Sequence, residues 1–174
     1  MENKLRFALP EKAKDIVDEL MSEEFYAISF YTYLSFCFTS KGYFKAAEWA
    51  MKESDSERSH FLSLSEFLQA RGIEPDVPAA KQPEIDFTDL QSGIKAAYML
   101  EIALTEKYNE LIPLMFKTDV MGYLKLCDFI KIQESALREM SDLWSMFENA
   151  DSEQYQRLLE MQRWGEQNES PVAG

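Results

Sequence analysis

The sequence has few of the residues that interrupt helices. Six glycines and six prolines occur among 174 residues, and three of the prolines lie between positions 75 and 83. Long uninterrupted helices are therefore expected on either side of that stretch. No run of 18 apolar residues is present, which argues against a membrane-spanning helix. Residues 1–9 also lack the apolar segment of a signal peptide, so we expect a cytoplasmic protein.

Cysteine and positive charge are scarce as well. The two cysteines, Cys37 and Cys127, lie within apolar helical patterns, and we interpret them as buried, reduced thiols. The 18 basic residues are outnumbered by 31 acidic ones, which gives a net charge of −13. That charge disfavours nucleic acid and anionic membranes as partners. It suits a protein that handles cations, although acidity alone more often serves solubility.

What the sequence has in abundance is helical periodicity. Four long segments carry it, at about 11–39, 43–71 and 89–116, and then from a break at 117–119 to about 147. A short amphipathic segment follows at about 153–165. We expect an all-α protein whose residues 1–174 form a single domain. Its parts are a four-helix bundle at about 10–147, the short fifth helix and a loose tail at 166–174.

The lengths of the connections predict the topology. Short breaks after the first and third segments make two antiparallel hairpins. The connection between the second and third segments, about residues 73–87, can extend roughly 50 Å at about 3.3 Å per residue. A helix of 28 residues is only about 42 Å long. The connection can therefore span the whole bundle, so that the second and third helices run parallel.

Each long helix has one polar residue inside its apolar stripe, near the middle of the helix. These residues are Glu24, Glu57, Glu101 and Gln133, and His60 follows Glu57 by one turn. Bundling brings all of them to one height, where three unpaired carboxylates would be strongly destabilising. Because no lysine or arginine lies in the same stripes, a bound cation is the favoured solution. Carboxylates with an imidazole suit iron or another first-row metal.

Taken singly, these signals are weak. A lone Glu-x-x-His on a helix is more often a surface pair, and the only histidine of a chain is more often a core or surface residue than a ligand. Tyr31 lies two turns from Glu24 on the same face. For this tyrosine, core packing and a redox or hydrogen-bonding role remain open alternatives. The coincidence of four polar positions at one height carries the metal-site hypothesis.

The sequence resembles the ferritins from about Asp15 to Trp164. The residues that carry the resemblance are Glu24-Phe25-Tyr26, Ser56-Glu57-Arg58-Ser59-His60, Glu101 and Gln133 with Ala136. The long crossover and short fifth helix agree with it. Two positions depart from the haem-binding and rubrerythrin-like branches: Gln133 replaces a second Glu-x-x-His, and Arg58 stands where bacterioferritin has its haem-ligating methionine. The chain is therefore similar to non-haem ferritins with a ferroxidase centre, and no haem is expected.

The resemblance implies a role for each matching residue. Glu24, Glu57 and His60 would hold one iron, and Glu57 would bridge to a second iron held by Glu101, with Gln133 at or beside it. Tyr31 would donate a hydrogen bond near the pair. Two Fe(II) ions per subunit and O2 are the implied substrates, and a homo-oligomeric shell, of 24 subunits in the family, is the implied assembly.

Some family features are missing. Bacterial ferritins bind a third iron through extra carboxylates, where this sequence has Ser56, Ser135 and Ala136. Ser56, Ser59 and Leu62 replace acidic residues that heavy-chain ferritins place on the cavity side. Glu134 is the remaining carboxylate that could supply a third site, but it should point about 100° away from Gln133 on an ideal helix.

Three functions remain to be distinguished. The leading hypothesis is an iron-storage ferroxidase, and the alternatives are a non-catalytic shell subunit and a di-iron peroxidase or oxygenase on the same bundle. The shell hypothesis also draws on the fifth helix. Its apolar residues have no place in a completed four-helix core, so we expect them to pack against symmetry mates: Tyr155, Leu158, Leu159 and Met161.

Overall fold

A computed structural model describes residues 8–165 of the chain. Five helices follow one another: α1 (Glu11–Ser40), α2 (Phe44–Ala70), α3 (Leu90–Thr118), α4 (Val120–Phe147) and α5 (Glu153–Trp164). The all-α bundle with a long, non-helical α2–α3 connection confirms the predicted fold class. The predicted tail at 166–174 and most of the amino-terminal segment lie outside the described residues. None of the described helices combines the length and the hydrophobicity that a membrane-spanning helix needs.

Two glycines end the helices of the first half. Gly42 and Gly72 have φ angles of 77° and 75°, which glycine adopts without the steric penalty of a side chain. The amide of Tyr43 bonds to the carbonyl of Phe38, and the amide of Ile73 bonds to that of Leu68. These are Schellman-type ends, which stop the helix and turn the chain sharply.

The second hairpin turns more tightly than the sequence suggested. The predicted break at 117–119 is wrong in extent, because α3 continues through Thr118 and Asp119 alone separates it from α4. The side chain of Asp119 accepts a hydrogen bond from the amide of Gly122, capping α4. Arg71 donates to the same carboxylate, at 2.8 Å, which ties the end of α2 to this turn.

The core is divided into two apolar clusters. One lies towards the α5 end and includes Leu34, Phe38 and Trp49, and the other lies towards the α3–α4 turn and includes Leu20, Leu64 and Leu111. A layer of buried polar residues lies between them. The two cysteines are free, but Cys37 and Cys127 are half-buried rather than fully buried as expected.

Helix α5 closes one end of the bundle through polar side chains. Glu160 accepts hydrogen bonds from the amides of Lys45 and Ala46 at the start of α2, at 2.9 and 3.1 Å. Gln156 accepts from the amide of Leu90 at the start of α3. Arg157 donates to the carbonyls of residues 41 and 42, after the end of α1. Three helix ends of the bundle therefore meet partners on α5.

The docking of α5 partly overturns the expectation for its apolar residues. Leu159 is buried in the chain's own core, so the prediction that it packs against a symmetry mate is wrong. Tyr155, Leu158 and Met161 are exposed on the opposite face.

Candidate metal centre

The polar layer lies near the middle of the four long helices, where each helix contributes at least one side chain. Glu24, Glu57, Glu101 and Gln133 are 0, 3, 1 and 3 % exposed. Buried carboxylates require compensation by hydrogen bonds or by positive charge. The partners of each carboxylate therefore decide what the layer can do.

Three of the predicted residues from α1 and α2 come together. Each of Glu24, Glu57 and His60 offers one ligand atom, and these atoms lie within 4.8 Å of one another. Nδ1 of His60 is 2.9 Å from Oε2 of Glu57 and 3.5 Å from Oε2 of Glu24. The Glu57 and His60 side chains share one face because they are one helical turn apart.

One oxygen in this group lacks a hydrogen-bond partner. Among the described residues, Oε2 of Glu24 is the buried side-chain polar atom that accepts no hydrogen bond. It lies 3.5 Å from Nδ1 of His60 without forming a hydrogen bond, and a buried oxygen without a hydrogen bond is destabilising by about 1–3 kcal/mol. A cation bound between Glu24, Glu57 and His60 would satisfy it, which makes the orphaned oxygen a physical argument for a metal at this position.

Glu101 forms a second polar group with residues from α1 and α4. Tyr31 donates a hydrogen bond to Oε1 of Glu101 at 2.6 Å, and the amide of Gln133 donates to Oε2 at 2.6 Å. Tyr31 is fully buried, and its ring also packs edge-on against Trp49 with centroids 6.1 Å apart. The two alternatives for Tyr31 are therefore compatible, because it packs in the core and also donates to the centre.

Tyr108 is a further member of the centre, which the sequence analysis did not identify as a site residue. Its hydroxyl donates to Oε1 of Glu24 and is buried. Tyr31 follows Glu24 by seven residues on α1, and Tyr108 follows Glu101 by seven on α3. Each tyrosine bonds the glutamate of the other helix. This matched spacing on two helices was the available signal.

The charges in the centre shift the pKa of its acids upward. Burial, with repulsion from Glu24, raises the pKa of Glu57 to about 7, although its bond with His60 partly opposes the shift. Burial and the charge of Glu57 raise the pKa of Glu101 to about 7. Without a cation, the centre therefore resists full ionisation near neutral pH.

The imidazole responds in the opposite sense. Burial alone lowers the pKa of His60, but the carboxylates of Glu24 and Glu57, 3.5 and 2.9 Å from its Nδ1, outweigh that effect and raise the pKa to about 10. In the metal-free protein, a protonated His60 is thus the positive charge that faces the two carboxylates. A metal ion would replace that proton, because a ligating imidazole must be neutral.

The four residues considered for a third iron site are not buried in the polar layer. The Glu134 side chain is 75 % exposed and pairs with Arg138 at 3.4 Å on the surface of α4. Ser56 and Ser135 are exposed, and Ala136 is half-buried. The direction expected for Glu134, away from the pair of predicted iron sites, agrees with this position.

Comparisons with known proteins agree with the fold. The family described as "Ferritin-like domain" matches residues 14–150. Bacterial non-heme ferritins from two strains of Bacteroides fragilis are each 28 % identical over 64 residues, which is 37 % of this chain and 40 % of theirs. A structure of an open pore ferritin from the archaeon Archaeoglobus fulgidus superimposes with a TM-score of 0.82 at 17 % identity. That match covers 88 % of this chain and 94 % of the archaeal one.

Proposed function

This chain belongs to the ferritin-like family, and from that premise we propose that it is an iron-storage ferritin with ferroxidase activity. It oxidises Fe(II) to Fe(III) with O2 inside each subunit, and the ferric product is deposited within a hollow homo-oligomeric shell. The aligned stretch spans only about 40 % of the length of the bacterial relatives. We therefore include the iron-binding residues, the activity and the assembly of this chain in the proposal.

The observation that carries the proposal is the group formed by Glu24, Glu57 and His60. Two buried carboxylates and one imidazole converge there, and one buried carboxylate oxygen accepts no hydrogen bond among the described residues. A purely structural cluster would be expected to satisfy all of its buried polar atoms. Oxygen ligands with one imidazole suit a first-row divalent metal such as iron.

In this proposal the two polar groups hold the two iron ions that are the substrate. Glu24, Glu57 and His60 bind the first ion, and Glu57 bridges to the second, which Glu101 binds with Gln133 beside it. Tyr31 and Tyr108 orient Glu101 and Glu24 through their hydroxyl groups. The cytoplasm is the expected compartment, and haem has no role.

The electron balance explains why two ions are needed. Each Fe(II) gives one electron, and reduction of O2 to hydrogen peroxide takes two electrons and two protons. A pair of ions therefore reduces O2 without release of a one-electron product.

The proposed shell is supported by the face of α5 that carries Tyr155, Leu158 and Met161, which are 45, 62 and 56 % exposed. Exposed apolar faces of this kind are typical of subunit contacts.

Aerobic addition of Fe(II) to the metal-free protein tests the proposal, with native mass measurement of the assembly. We expect rapid oxidation, ferric particles and a closed shell. The Glu57→Ala variant is the control and should not oxidise Fe(II) rapidly. A shell that assembles without accelerating oxidation would instead identify the non-catalytic subunit. Turnover with peroxide or an organic substrate, and no ferric particles, would identify the peroxidase or oxygenase.

A further inference from the structure

A small cavity of about 200 Å³ lies beside the bundle end where α2, α4 and α5 meet. It is separate from the centre formed by Glu24, Glu57 and His60. Three basic side chains line it, Lys45 and Lys52 from α2 and Arg163 from α5. With Glu48 and Glu139 also in the lining, three positive groups face two negative ones there, whereas the whole chain has 18 basic residues against 31 acidic ones.

The basic groups keep hydrogen-bond donors available to the cavity. Within residues 8–165, Lys52 is exposed and makes no ion pair. Lys45 pairs with Glu48 at 3.2 Å and Arg163 with Glu139 at 2.9 Å. Each of those pairs uses one donor of an ammonium with three or a guanidinium with five. The two carboxylates in the lining are thus already compensated, and Lys52 leaves the cavity with an excess of positive charge.

The inner wall is apolar. Trp49 and Trp164 stack with ring centroids 5.4 Å apart, and both are largely buried. A low-dielectric wall next to clustered cations strengthens the field that an anion would experience. The volume is below the roughly 300 Å³ at which pockets for drug-sized ligands begin, so the site fits a small inorganic oxyanion.

We propose that this cavity binds a small oxyanion of the inorganic phosphate class. The planar fork of Arg163 and the two ammonium groups match the several charged oxygens of such an ion. A divalent cation fits poorly, because three positive side chains would repel it and both lining carboxylates are held in ion pairs. The proposal is independent of iron and applies to the metal-free protein.

Isothermal titration calorimetry of the metal-free, full-length protein with sodium phosphate, at constant ionic strength, tests the site. We expect saturable binding of one phosphate per chain. Lys52→Gln and Arg163→Gln should each weaken it at least about tenfold, as expected for loss of a charge-assisted hydrogen bond. Lys95→Gln, which removes an exposed lysine of α3 that is not part of the cavity lining, should leave phosphate binding unchanged. Circular dichroism verifies that each variant is folded.

Fluorescence locates the bound ion. Trp49 and Trp164 line the cavity whereas Trp144 does not, so Trp144→Phe should retain a phosphate-dependent emission change with the calorimetric midpoint. Sodium sulfate, an oxyanion of similar size and geometry, should compete for the site, whereas sodium chloride should not. Absence of saturable binding, equal affinity in all variants, no competition by sulfate, or emission that does not follow binding would each overturn the proposal.

Discussion

Two regions of this bundle bury glutamate, and they treat it in opposite ways. Glu160 on α5 is 5 % exposed, and its Oε1 accepts hydrogen bonds from two backbone amides at the start of α2. Glu24 in the middle of the bundle is fully buried, yet its Oε2 accepts no hydrogen bond among the described residues. The first carboxylate completes a helix end, where the helix dipole also favours a negative charge. The second has one oxygen without such a partner, which we propose binds a metal ion.

The two glutamates differ in the partners that surround them and not in their burial. Both positions place the same side chain in a nearly dry environment, so burial alone does not identify a site. What differs is whether the protein itself supplies the partners. At the α5 end, Gln156, Arg157 and Glu160 all meet backbone groups. In the centre, Glu24, Glu57 and His60 mostly meet one another, and that arrangement is stable only with protons or a cation.

The largest expected effect is that of Glu57→Ala on iron oxidation. A bridging carboxylate serves both proposed iron ions, so we expect the rate of Fe(II) oxidation to fall by roughly 100-fold or more, beyond the 10- to 100-fold typical of changes around a metal site. Folding should survive, because His60 keeps Glu24 as an acidic neighbour at 3.5 Å and the loss of Glu57 removes its repulsion with Glu24 and Glu101. Stopped-flow absorbance after aerobic Fe(II) addition measures the rate. Wild-type oxidation in a well-folded Glu57→Ala protein would refute the proposed di-iron assignment.

A smaller effect is expected from the tyrosine that donates to Glu24. Tyr108→Phe leaves the ring packing but removes the hydrogen bond to Oε1 of Glu24, so that both oxygens of Glu24 lose orientation. Loss of such an outer partner should weaken iron binding or slow oxidation about tenfold. Tyr31→Phe, which acts on Glu101 in the same way, is the matched variant. Equal and unchanged Fe(II) titrations in both variants would mean that the tyrosines serve packing alone.

The α5 end should show the reverse pattern, a loss of stability without a loss of activity. Glu160→Ala leaves two amides at the start of α2 without their partner, which should lower the free energy of unfolding by about 2 kcal/mol. Glu160→Gln retains an acceptor oxygen and should lose less. Denaturant unfolding, with the variants in the same assembly state as the wild type, measures both. A marked fall in oxidation rate per folded Glu160→Ala chain would break the distinction between the two regions.

The two regions should also respond oppositely to pH in the metal-free protein. The native pKa values of Glu57 and Glu101 are raised to about 7, so the native state binds more protons than the unfolded chain. Their contribution to stability therefore falls as pH rises from about 4.5 to 7. The raised pKa of His60, about 10, gives a contribution that is complete below about 6.5 and is lost as pH rises further.

The contribution of Asp89, near α5, to stability depends on pH in the opposite direction. Burial acts against it, but hydrogen bonds from Ser92, Gln156 and Thr88 lower its pKa, so its contribution is present at neutral pH and lost in acid. The free energy of unfolding of the metal-free protein should therefore decrease between pH 5.5 and 8. Glu57→Gln should make this decrease shallower. Parallel profiles for the wild type and Glu57→Gln would show that the centre does not titrate in this range.

The sequence predicted the helices well because their ends carry local signals. Gly42, Gly72 and Asp89 mark ends through backbone conformation or capping, and the structure places α1, α2 and α3 accordingly. The centre was visible because Glu24 and Glu101 interrupt apolar stripes. Two features were hidden. The role of Tyr108 was masked by its fit to the apolar pattern, and the docking of α5 depends on side chain to backbone bonds between residues over 60 positions apart.

The smallest expected effect concerns Glu134, an exposed glutamate, in contrast to the buried Glu24 and Glu160. Glu134 is 75 % exposed and pairs only loosely with Arg138, at 3.4 Å, and such exposed pairs contribute about 0–1 kcal/mol. Ser56, Ser135 and Ala136 supply no carboxylate beside the centre. We therefore expect two tightly bound Fe(II) ions per chain, a ratio of two Fe(II) per O2 in the first turnover, and hydrogen peroxide as the by-product.

Glu134→Gln should leave the number of tight sites, the ratio and the by-product unchanged, whereas Glu101→Gln should reduce the number of tight sites. Anaerobic Fe(II) titration followed by crystallography measures the number of sites. A third iron that the wild type binds and Glu134→Gln loses would show that α4 turns Glu134 towards the centre when iron is present.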